Sequence, residues 1–197
     1  MGEIFSALYG NKATKKRLGA AIVGGTLPHA LLVVGPAGSG KHTLATEIVA
    51  AANCRNVEVR LPGTKLPCGT CANCKRIYSG NFPDVSTLGR SSGKATIGVE
   101  ELRDFREDMF LSSTESEHKI YFIDDAECMT PEAQNALLKV LEEPPRSVTI
   151  ILLAKECDRI LTTIKSRAQY IAMTRFEDNE LAERLLKEIC VIVSMIP

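Results

Sequence analysis

Seven consecutive residues, Gly35-Pro36-Ala37-Gly38-Ser39-Gly40-Lys41, have the composition of a phosphate cradle. Glycines let the backbone wrap with its amides pointing inward, a following helix adds positive potential at its N-terminus, and the lysine bridges terminal phosphates. The expected nucleotide contacts are Gly35, Pro36, Ala37, Gly38, Ser39, Gly40, Lys41, His42 and Thr43. Position 42 departs from the usual chemistry. A serine or threonine there places a hydroxyl on magnesium, whereas the imidazole of His42 is a poor ligand for a cation that wants hard oxygen donors. Thr43 is no simple substitute, because one residue along a helix turns the side chain by about 100°. The expectation is ATP or ADP on the loop, with little help from Mg2+.

A second group of chemical residues closes an apolar run, Lys119-Ile120-Tyr121-Phe122-Ile123-Asp124-Asp125. Two carboxylates at the end of a buried strand can hold a magnesium-bound water and orient an attacking one. Asp124 is the expected metal-side acid. Asp125 stands where a hydrolase of this type needs glutamate, and its shorter reach makes it a weak catalytic residue, since a misplacement of ~1 Å can cost on the order of a hundredfold in rate. Glu127 is a candidate stand-in.

The third group is sulfur. Cys68, Cys71 and Cys74 are spaced C-x2-C-x2-C, and Cys54 precedes them. Four thiolates fit tetrahedral zinc, and a site filled entirely by protein is structural. A thioredoxin-like pair leaves the other two cysteines unexplained. An iron–sulfur cluster is the sharper rival, although the bacterial run with a further cysteine before proline is absent. Arg55, Arg60, Lys65, Lys75 and Arg76 surround the cysteines, but four thiolates with one zinc carry a formal charge of −2 that these cations offset. Tyr78 alone makes no stacking platform for single strands.

Positioning these groups takes an alternation of strands and helices. Apolar runs predict strands over 30–34, 85–88, 120–124, 148–153 and 169–173, and helical spacing predicts helices over 43–52, 100–109 and 131–142, with a looser helical pattern within 4–25. That order implies an α/β fold, a mostly parallel sheet with helices on both faces. The cysteine-rich stretch and the polar 89–98 loop read as insertions rather than boundaries. The expected division is a domain over 1–175, with a zinc insertion at 54–76, followed at 176–197 by the start of a helical lid domain cut short inside a helix over 179–189. In 197 residues, Lys plus Arg and Asp plus Glu both number 24, so any nucleic-acid contact must come from a local patch or a partner. No apolar stretch approaches the ~20 residues that span a bilayer. Clustered cysteines with the others scattered through apolar segments lead to the expectation of a cytoplasmic protein.

The chain resembles the bacterial clamp-loader subunits of the AAA+ ATPases from about Gly10 to Arg175. The resemblance is carried by His29-Ala30-Leu31-Leu32 before the loop, the four cysteines, Asn135-Ala136-Leu137-Leu138-Lys139-Val140-Leu141-Glu142-Glu143-Pro144-Pro145, and Thr163-Ile164-Lys165-Ser166-Arg167-Ala168. It implies a P-loop AAA+ fold and a part in loading sliding clamps onto primed DNA, with gamma/tau and delta subunits as partners and no membrane. It also implies that Arg167, matching a Ser-Arg-Cys motif with Ala168 in place of cysteine, acts in trans as an arginine finger on a neighbour's ATP. Asn81-Phe82-Pro83-Asp84-Val85 and Ile97-Gly98-Val99-Glu100-Glu101-Leu102-Arg103 resemble the stator-like branch of the family. Asp125 in place of glutamate and Lys155 in place of a phosphate-sensing threonine lead to the same expectation as His42: a subunit that keeps the fold and hydrolyses ATP poorly. The rival readings are an ATP-hydrolysing motor subunit of gamma/tau type and a zinc-dependent nucleic-acid-binding module.

Overall fold

A computed structural model describes residues 4–56, 65–90, 94–110, 115–116, 118–145 and 147–175. The elements in chain order are α1 (Lys12–Val23), β1 (Ala30–Val34), α2 (Lys41–Ala52), α3 (Ala72–Tyr78), β2 (Val85–Leu88), α4 (Val99–Met109), β3 (Lys119–Ile123), α5 (Pro131–Glu142), β4 (Val148–Ala154), α6 (Thr162–Lys165) and β5 (Gln169–Ala172). A 3-10 turn, Ala126–Cys128, links β3 to α5. The strands form one sheet in the order β2-β3-β4-β1-β5, and every pairing is parallel.

Side chains alternate across a strand, and both faces of this sheet are covered. Leu31 and Val33 of β1, with Ile151 and Leu153 of β4, pack on one face in a core that includes Leu44, Ile48 and Val49 of α2. Ala30, Leu32 and Val34, with Ile150 and Leu152, pack on the other with Leu102 of α4 and Leu137 and Val140 of α5. All residues of β1 and β4 are buried, which is why those segments read as unbroken apolar runs, whereas β2 lies at an edge and is only half buried. α5 starts on capping chemistry: the Thr130 hydroxyl accepts the Ala133 N–H and Pro131 occupies the first turn, while Pro144-Pro145 forbids continuation.

The predicted elements are present with ends moved by two residues at most, apart from the loose N-terminal pattern, of which residues 12–23 form α1. Two short helices were not predicted. α3 is hidden among cysteines, where ligand spacing obscures helical spacing, and α6 has only four residues. The helix expected over 179–189 lies outside the described residues.

The parallel register brings the chemistry to one edge. Val34 is level with Ala154 and Ala172, and Ile123 with Leu152, so the segments after β1, β3, β4 and β5 all emerge together at the carboxyl ends of the strands. Ligands of open α/β sheets bind in that crevice.

Candidate functional site

The loop after β1 is tied into the ladder on both sides, by Gly35 N–H to the Ala154 carbonyl (3.1 Å) and Met173 N–H to the Val34 carbonyl (2.7 Å). A Cβ on Gly35 would lie 2.6 Å from the Met173 carbonyl oxygen and 2.9 Å from Ser39 Oγ, so only glycine fits. Gly38 and Gly40 adopt φ of 78° and 84°, the left-handed region that L side chains avoid. Gly40 then caps α2, whose first turn leaves N–H groups without intrahelical partners. Ser39 is fully buried, yet its hydroxyl has no partner among the described residues. Lys41 Nζ folds back to donate to the carbonyls of Gly35 (2.6 Å) and Pro36 (2.9 Å), and burial lowers its pKa. A wrapped backbone, a free helix start, an orphaned hydroxyl and a lysine lying over the loop fit a phosphate group.

The residues flanking the loop are paired with one another. His42 Nε2 lies 3.2 Å from Asp124 Oδ1. Asp125 receives Lys155 Nζ on Oδ1 (2.9 Å) and Arg90 on Oδ2 through Nη2 (2.7 Å) and Nε (3.0 Å). Lys155 first, and Arg90 after it, hold the Asp125 carboxyl below the usual carboxylate range. Asp125 has φ 48° and ψ 48°, a left-handed turn residue whose N–H donates to Asp124 Oδ1 (2.9 Å). The three departures seen in sequence therefore share two partners: His42 meets Asp124, and Lys155 meets Asp125. This arrangement fits magnesium poorly, because position 42 offers no oxygen and its imidazole lies against Asp124, the expected metal-side acid. Sequence reasoning missed Arg90, which sits in the polar loop after β2; its signal was a lone arginine beside the strand end.

The four clustered cysteines come together in space. The sulfurs of Cys54, Cys68, Cys71 and Cys74 all lie within 4.8 Å of one another. Cys68 and Cys74 sulfurs are 3.9 Å apart, far beyond a disulfide bond and close to the ~3.8 Å edge of a tetrahedron with Zn–S bonds of ~2.3 Å. An iron–sulfur cluster places several atoms between its thiolates and needs them wider apart. Backbone N–H groups already serve the sulfurs, Cys71 N–H to Cys68 (3.4 Å) and Cys74 N–H to Cys71 (3.5 Å). Burial alone would raise the Cys68 thiol, but the N–H groups of Cys71 and Thr70 outweigh it and bring it down to about 6, while burial pushes Cys74 up. The group docks on α2: Cys74 Sγ lies 3.7 Å from the Ala50 carbonyl, Asn73 Nδ2 donates to the Asn53 carbonyl (2.9 Å), and Tyr78 donates to Glu47 Oε1 (2.5 Å). Of the nearby basic residues, Arg76 is engaged with Glu115 and Asn81 and stacks 5.7 Å above Phe82, and Arg60 lies outside the described residues.

Arg167 lies at the opposite edge. It sits in the turn between α6 and β5, and Gln169 at the start of β5 is level with Leu31 near the start of β1, so Arg167 is at the amino ends of the strands while the loop is at the carboxyl ends. Its guanidinium is 2.8 Å from Glu142 Oε1 and donates to the Thr163 carbonyl (3.1 Å). Gln134 of α5 fixes the segment before α6, donating to the Arg159 carbonyl (2.9 Å) and accepting the Leu161 N–H (2.8 Å).

A five-stranded parallel sheet with a glycine-rich loop between β1 and α2 and acids after β3 defines a P-loop domain of the AAA+ type, and solved structures share the fold. A gamma subunit-related protein of DNA polymerase III from Thermotoga maritima superimposes with a TM-score of 0.56 at 22% identity, over 83% of this chain and 46% of that one. Residues 10–177 match the family described as DNA polymerase III, delta subunit, and the chain belongs to the DNA polymerase III clamp-loader family. Among curated relatives, the delta' subunit of Bacillus subtilis is 35% identical over 82% of this chain and 47% of its own length. The tau subunit of the same organism is 34% identical over 93% of this chain and 31% of its own. The chain thus spans less than half of either relative. Among the described residues, no helix is long and apolar enough to cross a membrane.

Proposed function

We propose that the chain is a stator-like, delta prime-type clamp-loader subunit of a DNA polymerase III holoenzyme. It holds nucleotide on residues 35–43 without turning it over, carries structural zinc on Cys54, Cys68, Cys71 and Cys74, and offers Arg167 to the ATP of an adjacent gamma or tau subunit. The observation that supports it best is the pairing at the carboxyl edge. In a hydrolase the groups after β3 and β4 face metal, water and terminal phosphate. Here Asp124 is met by His42 and Asp125 by Lys155 and Arg90, so both acids are engaged by neighbouring side chains. Delta, the sliding clamp and primed DNA are reached through the assembly, in the cytoplasm.

The second reading is a gamma/tau-like motor, favoured by a similarity to tau nearly equal to that to delta'. Turnover by the purified chain separates them. The stator reading expects nucleotide binding without steady release of phosphate, and sustained hydrolysis at about 1 s⁻¹ or faster, with magnesium, would assign the chain to the motors.

A further inference from the structure

Three carboxylates cluster near Lys41, and two are spoken for: Asp124 by His42, Asp125 by Lys155 and Arg90. Glu127, in the 3-10 turn after β3, is different. It is 8% exposed, and its Oε2 is buried with no hydrogen-bond partner among the described residues. Its charge acts on Lys41 more strongly than that of Asp124 or Asp125, and it is felt by Lys155 and Arg90 as well. A buried charge is screened less by solvent than an exposed one.

From this we infer that Glu127 makes the loop a site for a nucleoside diphosphate in preference to the triphosphate. The reasoning rests on the loop being a nucleotide site, as proposed above. Backbone amides and the start of α2 can hold two phosphates. A third phosphate must lie near Lys41 and the group after β4, and there the side-chain charges cancel: Lys41, Lys155 and Arg90 stand against Asp124, Asp125 and Glu127. Motor sites of this class offset that extra charge with magnesium. The His42–Asp124 pair competes with that route, so a triphosphate brings negative charge toward a buried carboxylate where the surrounding side chains offer no net positive charge.

Calorimetry of the chain with ADP and with ATP, both in chelator, tests this. ADP is expected to bind more tightly than ATP. Glu127→Gln keeps the shape and removes the charge, and it should shift the ADP-to-ATP preference toward ATP by about tenfold, the effect of ~1.4 kcal/mol. Tighter binding of ATP by the unmodified chain would overturn the inference while leaving the loop a nucleotide site, and so would an equal effect of Glu127→Gln on both ligands. Binding of neither nucleotide would overturn the nucleotide reading itself. Should the variant fail to fold, the preference of the unmodified chain decides.

Discussion

Asp125 carries the densest ionic load at the carboxyl edge, with a cation on each oxygen. Because Lys155 and Arg90 hold its carboxyl low, the clasp is present above the unfolded value of about 3.9 and is lost as pH falls through the still lower folded value. Both partners are substantially exposed, so solvent screening leaves the clasp only a small contribution. Asp125→Asn is expected to lower the chemical-denaturation midpoint by that modest amount at neutral pH and to lose this difference in acid. It should also tighten nucleotide binding by freeing two cations. His42→Thr is expected to introduce a dependence on magnesium into nucleotide affinity, read by titration with and without chelator; a strong magnesium requirement in the unmodified chain would contradict the account. The chemistry of His42, Asp125 and Lys155 was legible in the sequence because each breaks a pattern of residue type. The pairing of His42 with Asp124 and of Lys155 with Asp125 was not, since it follows from the β1–β4–β3 register, which no local run of residues encodes.

At the scale of elements, α3 clamps the carboxyl half of α2. Glu47 is fully buried in α2, and burial raises its pKa although the Tyr78 hydroxyl donates to it. A carboxyl with a raised folded pKa binds protons more readily in the native state, so its contribution to stability falls as pH rises from the unfolded value of about 4.3 through the folded one. Glu47→Gln is expected to flatten that part of the stability–pH curve, measured as urea midpoints from pH 4 to 8. An unchanged curve would mean that the carboxyl is not desolvated. Tyr78→Phe should cost about 1 kcal/mol by removing one donor from a buried carboxyl to which the Ala7 N–H also donates.

The same interface bears on zinc. Cys74 and Ile77 are core residues beside Ile48, so metal removal should loosen α3 and the end of α2 together while the buried strands β1 and β4 stay protected from hydrogen exchange. One zinc per chain is expected by metal analysis, and iron with visible absorbance, or no metal, would contradict the ligand set. Cysteine spacing alone made the four-sulfur cluster legible. The docking surface was not, because Asn73 and Tyr78 read as ordinary polar residues until α3 sets them along α2. Two motifs of the stator-like resemblance prove to be structural supports. Phe82 is core and the Asp84 carboxylate accepts the Glu115 and Ser116 N–H groups, while Glu101 reaches back to the Gly98 N–H at the start of α4.

Across the whole molecule, the parallel sheet separates the glycine-rich loop from Arg167 by the length of its strands. Five residues at ~3.3 Å each put about 17 Å between the glycine-rich loop and the strand ends that bear Arg167. Arg167 cannot serve its own loop from there, and Glu142 and the Thr163 carbonyl hold its guanidinium in a fixed turn. A rigid, permanently charged fork of donors is suited to a transferring phosphoryl group on a neighbour. The measurement that tests the central proposal most directly is DNA-stimulated ATP turnover in a clamp loader reconstituted with gamma or tau and delta subunits, comparing Arg167 with Arg167→Ala. The account predicts intact assembly with the adjacent motor site slowed on the order of 10³-fold. Unchanged turnover in the intact assembly would contradict it and leave Arg167 a surface charge.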